Sequence, residues 1–181
     1  MIEILESREF PVDTLYPLAS SRSAGKSVQF RGKHHTVQDL STFDFSQTPI
    51  GLFSAGGDIS AEYAPIAASA GCVVIDNTSH FRRDKDVPLV IPEVNAGAIA
   101  DYRSRGIIAN PNCSTIGMLV ALKPLYDAVG IERINVATYQ AVSGTGKAAI
   151  EELAGQTARL LNGKAPEPEV YPKQIAFNAI P

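Results

Sequence analysis

Cys113 is the residue best placed to act as a nucleophile. It follows the apolar run Gly106-Ile107-Ile108-Ala109 and the break Asn110-Pro111-Asn112, and a helical pattern begins at it, with Ile116, Leu119, Val120, Leu122 and Leu125 on the apolar side. The unpaired N–H groups and the dipole of a helix start stabilise an anion. A thiolate there is expected to have a lowered pKa and raised reactivity. The alternative is a small buried hydrophobe, which is what most free cysteines are. Cys72 lies inside the apolar run Gly71–Ile75 and reads as structural.

Other chemistry is suggested by loops. Gly56-Gly57 stands between a strand pattern and a helix pattern, where backbone N–H groups meet a phosphate or a nicotinamide. A tight strand-to-helix turn also favours glycine, so the pair alone is weak. Ser143-Gly144-Thr145-Gly146-Lys147 has the look of a phosphate loop, yet Ala141 occupies the position of the required glycine and Ala148 that of the Ser or Thr. ATP binding is therefore rejected there. Arg22 and Ser23 fall in a polar turn after a strand, where a dinucleotide fold reads the ribose 2′ substituent. An arginine there suits a 2′-phosphate, and an ordinary solvated loop is the competing reading. Arg82 and Arg83 follow Asp76 and could bind an anion or pair with Asp84 and Asp86. His34, His35 and His80 show no partner pattern, and no Cys/His cluster has zinc spacing, so no metal is assigned.

The elements that must position these residues alternate. Apolar strand patterns at Pro49–Ser54, Cys72–Asp76 and Gly106–Ala109 are separated by helical ones, which predicts an α/β domain with a parallel, Rossmann-like sheet. Helices are expected over residues 1–8, Ser60–Ala70, near Ala96–Tyr102, from Cys113 to about Val129, and over Lys147–Leu161. Further strands are expected at Thr14–Ala19, Ser27–Phe30, His34–Val37 and, unusually long, Ile131–Val142. Two domains are expected, a dinucleotide-binding one over 1–130 and the start of an α+β catalytic and dimerisation domain over 131–181. The chain begins inside a helix rather than a strand, and its tail, Asn162–Pro181, reads as a connection.

Composition removes several classes. The 181 residues carry a net charge of −3, so no basic field is available for nucleic acid. No apolar run approaches the ~20 residues of a membrane span. Residues 1–8 lack a signal-peptide core, and with two cysteines no disulfide framework is possible, so the cytoplasm is the expected address.

Taken together, seven segments resemble the aspartate-semialdehyde dehydrogenase family. They are Leu18–Lys26 (LASSRSAGK), Phe53–Gly57 (FSAGG), Asp76–Arg82 (DNTSHFR), Val90–Asn95 (VIPEVN), Asn110–Thr115 (NPNCST), Thr138–Gly144 (TYQAVSG) and Ile175–Pro181 (IAFNAIP). They run in order over essentially the whole chain, and their succession is specific. The resemblance implies NADP-dependent interconversion of 4-phospho-aspartate and aspartate 4-semialdehyde, in the biosynthesis of lysine, threonine, methionine and isoleucine. Cys113 would attack the acyl phosphate to give a thioester, which hydride from NADPH then reduces. Gln140 would position the substrate, with Arg82 and Asn112 at its phosphate end. Arg22 and Ser23 would meet the 2′-phosphate of NADP. Ser54, Gly56, Gly57, Ser143, Gly144 and Gly146 would approach the nicotinamide half. A homodimer is implied for the complete protein.

The same likeness places the family's first strand and glycine-rich turn before residue 1. Its histidine acid/base and its substrate-binding carboxylate and arginine would lie beyond Pro181. The 181 residues alone are accordingly expected to bind NADP weakly and to turn over little. The competing readings are the related reductase of N-acetylglutamyl phosphate and a non-catalytic relative that only binds or assembles.

Overall fold

The computed structural model describes residues 1–8 and 10–181. The chain divides into two compact units, Met1–Gly130 and Ile131–Pro181.

The first unit is built on a parallel sheet of β5 (Ile50–Phe53), β6 (Val73–Asp76) and β7 (Ile107–Ala109), paired in that order. Their residues are mostly branched and apolar, as strands enclosed in an α/β core require. One further bridge, Leu89 beside Ala109, extends the same sheet. Helix α2 (Gly57–Ser69) carries the chain from β5 to β6, and its fully buried Ala64 and Ala67 face the sheet. Together with Phe45, Phe53, Cys72, Val74, Phe81, Val87, Ile107 and Ala109 they form the core. Alanines let the helix sit close, and Gly106 shows how close. A Cβ at that position would lie 2.8 Å from the Ala68 Cβ, and the residue's φ of +68° also demands glycine.

Around this core lie shorter elements. Helix α1 (Ile2–Ser7) precedes β1 (Leu18–Ala19), which pairs in parallel with β4 (Gln38–Asp39). Between them β2 (Ser27–Phe30) and β3 (Lys33–Thr36) form an antiparallel hairpin. The strand expected over Thr14–Ala19 is reduced to two residues, because Pro17 has no N–H to continue a ladder. The segment before β7 is α3 (Pro92–Asn95) followed by 3₁₀ turns over Ala96–Ser104, rather than one helix. Helix α4 (Cys113–Val129) closes the unit. The fold is α/β, as the alternation of patterns implies.

The second unit holds α5 (Lys147–Leu161) and a 3₁₀ turn at Val142–Gly144. The long strand expected over Ile131–Val142 is absent. Among the described residues no strand pairs with it, and Ile134, Val136 and Tyr139 are exposed, Tyr139 at 94%. An alternating pattern marks a face that could be buried, but a ladder also needs a neighbour. Two side chains of α5 tie down the segment that follows. Buried Gln156 accepts the N–H groups of Ile175 and Ala176, and Glu152 accepts those of Glu169, Val170 and Tyr171.

Candidate active site

The register of the parallel sheet aligns Phe53, Asp76 and Ala109 side by side at the carboxyl ends of their strands. Open α/β sheets bind ligands at that edge. Three polar loops therefore meet there, Ser54-Ala55-Gly56, Asn77-Thr78-Ser79 and Asn110-Pro111-Asn112. The Asn77 N–H bonds the Phe53 carbonyl at 2.8 Å, and the Asn110 N–H bonds the Asp76 carbonyl at 2.8 Å. Side chains continue the stitching, with Asn110 Nδ2 donating to Asn77 Oδ1 at 3.4 Å and Asn77 Nδ2 to Ser54 Oγ at 3.5 Å.

Cys113 is exposed and is the first residue of α4. Asn112 caps that helix, its Oδ1 accepting the N–H of Ser114 at 3.0 Å and of Thr115 at 3.4 Å. Arg82 reaches the same loop. Its Nε donates to the Asn110 carbonyl at 2.8 Å and an Nη2 hydrogen to the Asn77 carbonyl at 3.2 Å. A guanidinium has five N–H donors, so the remaining three are open to an anion. Arg82 thus reaches the loop that carries Asn112 and Cys113, the other two residues expected at the substrate end. Cys72 stands apart. It is 1% exposed, and burial pushes its thiol pKa up, as a structural cysteine requires.

Gly56 precedes α2 at φ 115° and ψ 157°, a region essentially restricted to glycine, and no side chain caps that helix. Nothing lies within 4 Å of where a Gly56 Cβ would be. Among the described residues no side chain or loop carbonyl accepts the N–H groups of that first turn, which fits a phosphate-bearing dinucleotide. Arg22 is exposed in the turn after β1, with half-buried Ser23 beside it. That turn is closed by the Ser23 N–H on the Ser20 carbonyl at 2.8 Å.

In the second unit Gln140 lies against Gly144, where any Cβ would collide with its amide. Ser143 and Gly144 belong to the 3₁₀ turn, and Gly146 precedes α5 at φ 111°. Gln140 and the Ser143–Gly146 loop therefore form one group, within their own unit.

The structure adds Asp76, Asn77, Ser60 and Asn110, which sequence reasoning does not place among the site residues. The signal for Asp76 and Asn77 is the Asp76–Arg82 segment, since an Asp with Thr two positions later commonly forms a side-chain-to-backbone turn; Asn110 opens the Asn110–Thr115 segment, and Ser60 has no such signal.

Residues 1–102 match the family described as semialdehyde dehydrogenase, NAD binding domain, which is more than half of the chain. The chain belongs to the semialdehyde dehydrogenase family. Residues 122–181 match that family's dimerisation domain. The aspartate-semialdehyde dehydrogenase of Shewanella violacea is 70% identical over all 181 residues, which span 54% of that protein. Among solved structures, aspartate semialdehyde dehydrogenase II of Vibrio cholerae, complexed with ASA, is 67% identical at a TM-score of 0.92. That match covers 98% of this chain and 53% of the other. The Candida albicans enzyme with NADP is 29% identical at a TM-score of 0.57, covering 72% and 43%. The chain thus spans about half the length of the semialdehyde dehydrogenases it matches. Among the described residues, no helix is long and apolar enough to cross a membrane.

Proposed function

We propose that this chain carries the nucleophile and much of the cofactor wall of an NADP-dependent aspartate-semialdehyde dehydrogenase, which reduces 4-phospho-L-aspartate to L-aspartate 4-semialdehyde. The observation that carries the reading is Cys113 itself. It is exposed at the first position of α4, on a loop tied to Arg82, at the carboxyl edge of a parallel sheet. The helix start places the sulfur where negative charge that develops during the reaction is favoured.

In the reaction the Cys113 sulfur attacks the acyl carbon, a C–S bond forms, and the C–O bond to phosphate breaks. Inorganic phosphate departs with the electron pair. The free donors of Arg82 serve the phosphate, and Asn112 holds the helix start rigid beneath the sulfur. Gln140 is the proposed orienting group for the acyl portion. NADPH, when bound, would supply hydride for reduction of the acyl group, with the C–S bond breaking to return the electron pair to the Cys113 sulfur. Arg22 and Ser23 would hold its 2′-phosphate, and Ser54, Gly56 and Gly57, with Ser143, Gly144 and Gly146, its nicotinamide half. The 1–130 portion would be the NADP-binding domain and 131–181 the start of the catalytic and dimerisation domain. The complete protein would act as a cytoplasmic homodimer in amino-acid biosynthesis.

The test is acyl transfer to the chain. After incubation with 4-phospho-L-aspartate, the Cys113 peptide should carry an aspartyl adduct that hydroxylamine removes, and Cys113→Ser should carry none. No adduct on Cys113, or an unchanged adduct in Cys113→Ser, would overturn the reading.

A further inference from the structure

Asp76 is fully buried, yet no cation pairs with it among the described residues. A buried carboxylate is costly unless its lone pairs are met. Here they are met by neutral donors. Oδ1 accepts the hydroxyl of Ser60, itself fully buried in the first turns of α2, at 2.8 Å. The same oxygen accepts the Thr78 N–H at 3.0 Å, and Oδ2 accepts the Thr78 hydroxyl at 2.8 Å. Thr78 Oγ1 in turn accepts the His80 N–H at 3.3 Å. The chain of bonds has one direction, from the His80 amide through the Thr78 hydroxyl to the carboxylate.

The consequence lies further along. This chain of bonds holds the turn from Asn77 into the 3₁₀ segment His80–Arg83, and that segment aims Arg82. Arg82 bridges the carbonyls of Asn77 and Asn110. The Asn110 N–H also donates to the Asp76 carbonyl, and two residues later Asn112 begins α4. One buried carboxylate thus fixes the helix α2 start, the Arg82 turn and the loop that delivers Cys113.

We propose that Asp76, through Thr78, is a positioning residue for the Cys113 nucleophile, holding the Arg82 turn against the Asn110–Asn112 loop. It rests on the reading of Cys113 as nucleophile. A structural role alone would leave the reactivity of Cys113 unchanged for as long as the fold persists.

The experiment measures iodoacetamide alkylation of Cys113 and Cys72 in the same sample, peptide by peptide, at one pH. Cys72 is 1% exposed, so its rate reports opening of the core. Thr78→Val removes the hydroxyl without changing charge. It should slow Cys113 several-fold, because a displaced Asn110–Asn112 loop changes the exposure and surroundings of its sulfur, while Cys72 stays protected. Thr78→Ser keeps the hydroxyl and should restore the wild-type rate. Asp76→Asn replaces one of the acceptor oxygens that hold Thr78 with a donor and should slow Cys113 likewise. An unchanged Cys113 rate in Thr78→Val, or Thr78→Ser as slow as Thr78→Val, overturns the proposal. If Thr78→Val exposes Cys72, Asp76→Asn and Ser60→Ala decide instead, and a wild-type Cys113 rate in both with Cys72 protected overturns it. A wild-type Cys113 no faster than the same residue in urea would instead sink the nucleophile reading.

Discussion

Three helices begin at residues expected to do chemistry, and they begin in two different ways. Helix α2 follows Gly56 at φ 115° and α5 follows Gly146 at φ 111°, and neither start has a side-chain cap. Helix α4 follows Asn112, whose side chain takes the N–H groups of Ser114 and Thr115. The glycine starts leave their first amides to an outside acceptor, and the absence of a Cβ lets that acceptor approach the backbone. The asparagine start closes upon itself, so its dipole acts on its own first side chain, Cys113. A cofactor that comes and goes suits the open kind. A nucleophile that must stay in place suits the closed kind.

Arg22→Ala is the strongest way to break the open side of this comparison. Loss of charge-assisted hydrogen bonds, about 1.5–3 kcal/mol, should weaken NADP binding by about 10- to 150-fold and leave NAD unchanged in a titration. Equal losses for both nucleotides would remove the 2′-phosphate role. Gly56→Val comes next. Strain of about 1–3 kcal/mol at that backbone conformation should weaken both nucleotides by about 5- to 150-fold, with Cys113 alkylation unaffected. Wild-type affinity in this variant would show that the α2 start takes no ligand.

Asn112→Ala tests the closed side. Removing an N-cap costs about 0.5–2 kcal/mol, read as a melting point a few degrees lower together with several-fold slower Cys113 alkylation. A lower melting point with no change at Cys113 would separate the cap from the chemistry.

The smallest effect belongs to α5. Burial raises the Glu152 pKa, but the N–H groups of Val170, Glu169 and Tyr171 and the Gln156 amide outweigh it, and the net shift is downward. A depressed carboxylate stabilises the fold above its ordinary range and stops doing so as pH falls through the depressed value. Amide exchange at residues 169–171, taken relative to the intrinsic rate at the same pH, should therefore quicken in acid, and Glu152→Gln should quicken it at neutral pH and flatten its dependence on acid. An equal rise in both proteins would assign the effect elsewhere.

Much of the fold is legible in the sequence, for reasons particular residues make plain. The central strands β6 and β7 announce themselves because enclosed strands are continuous apolar runs. Helices α4 and α5 begin where cap and glycine chemistry place them, at Cys113 and Lys147. The stretch Ile131–Val142 misleads because alternation reports which face a strand would bury, not whether a neighbour is present. Asp76 is legible as the polar end of a strand and the start of an Asp-x-Thr turn, but not as a buried group. Its burial depends on Ser60, sixteen residues away, which α2 brings onto it. Such a contact has no local sequence period. The Gln140–Gly144 contact hides similarly, because it turns on the space left by a missing Cβ.

The central claim is that the folded α4 start activates Cys113. Its most direct measurement is the iodoacetamide rate of Cys113 in the native chain against the rate of the same residue in urea at the same pH. The expected result is a native rate about tenfold higher, the mark of an activated nucleophile at a helix start. A native rate equal to or below that of the unfolded chain would contradict it.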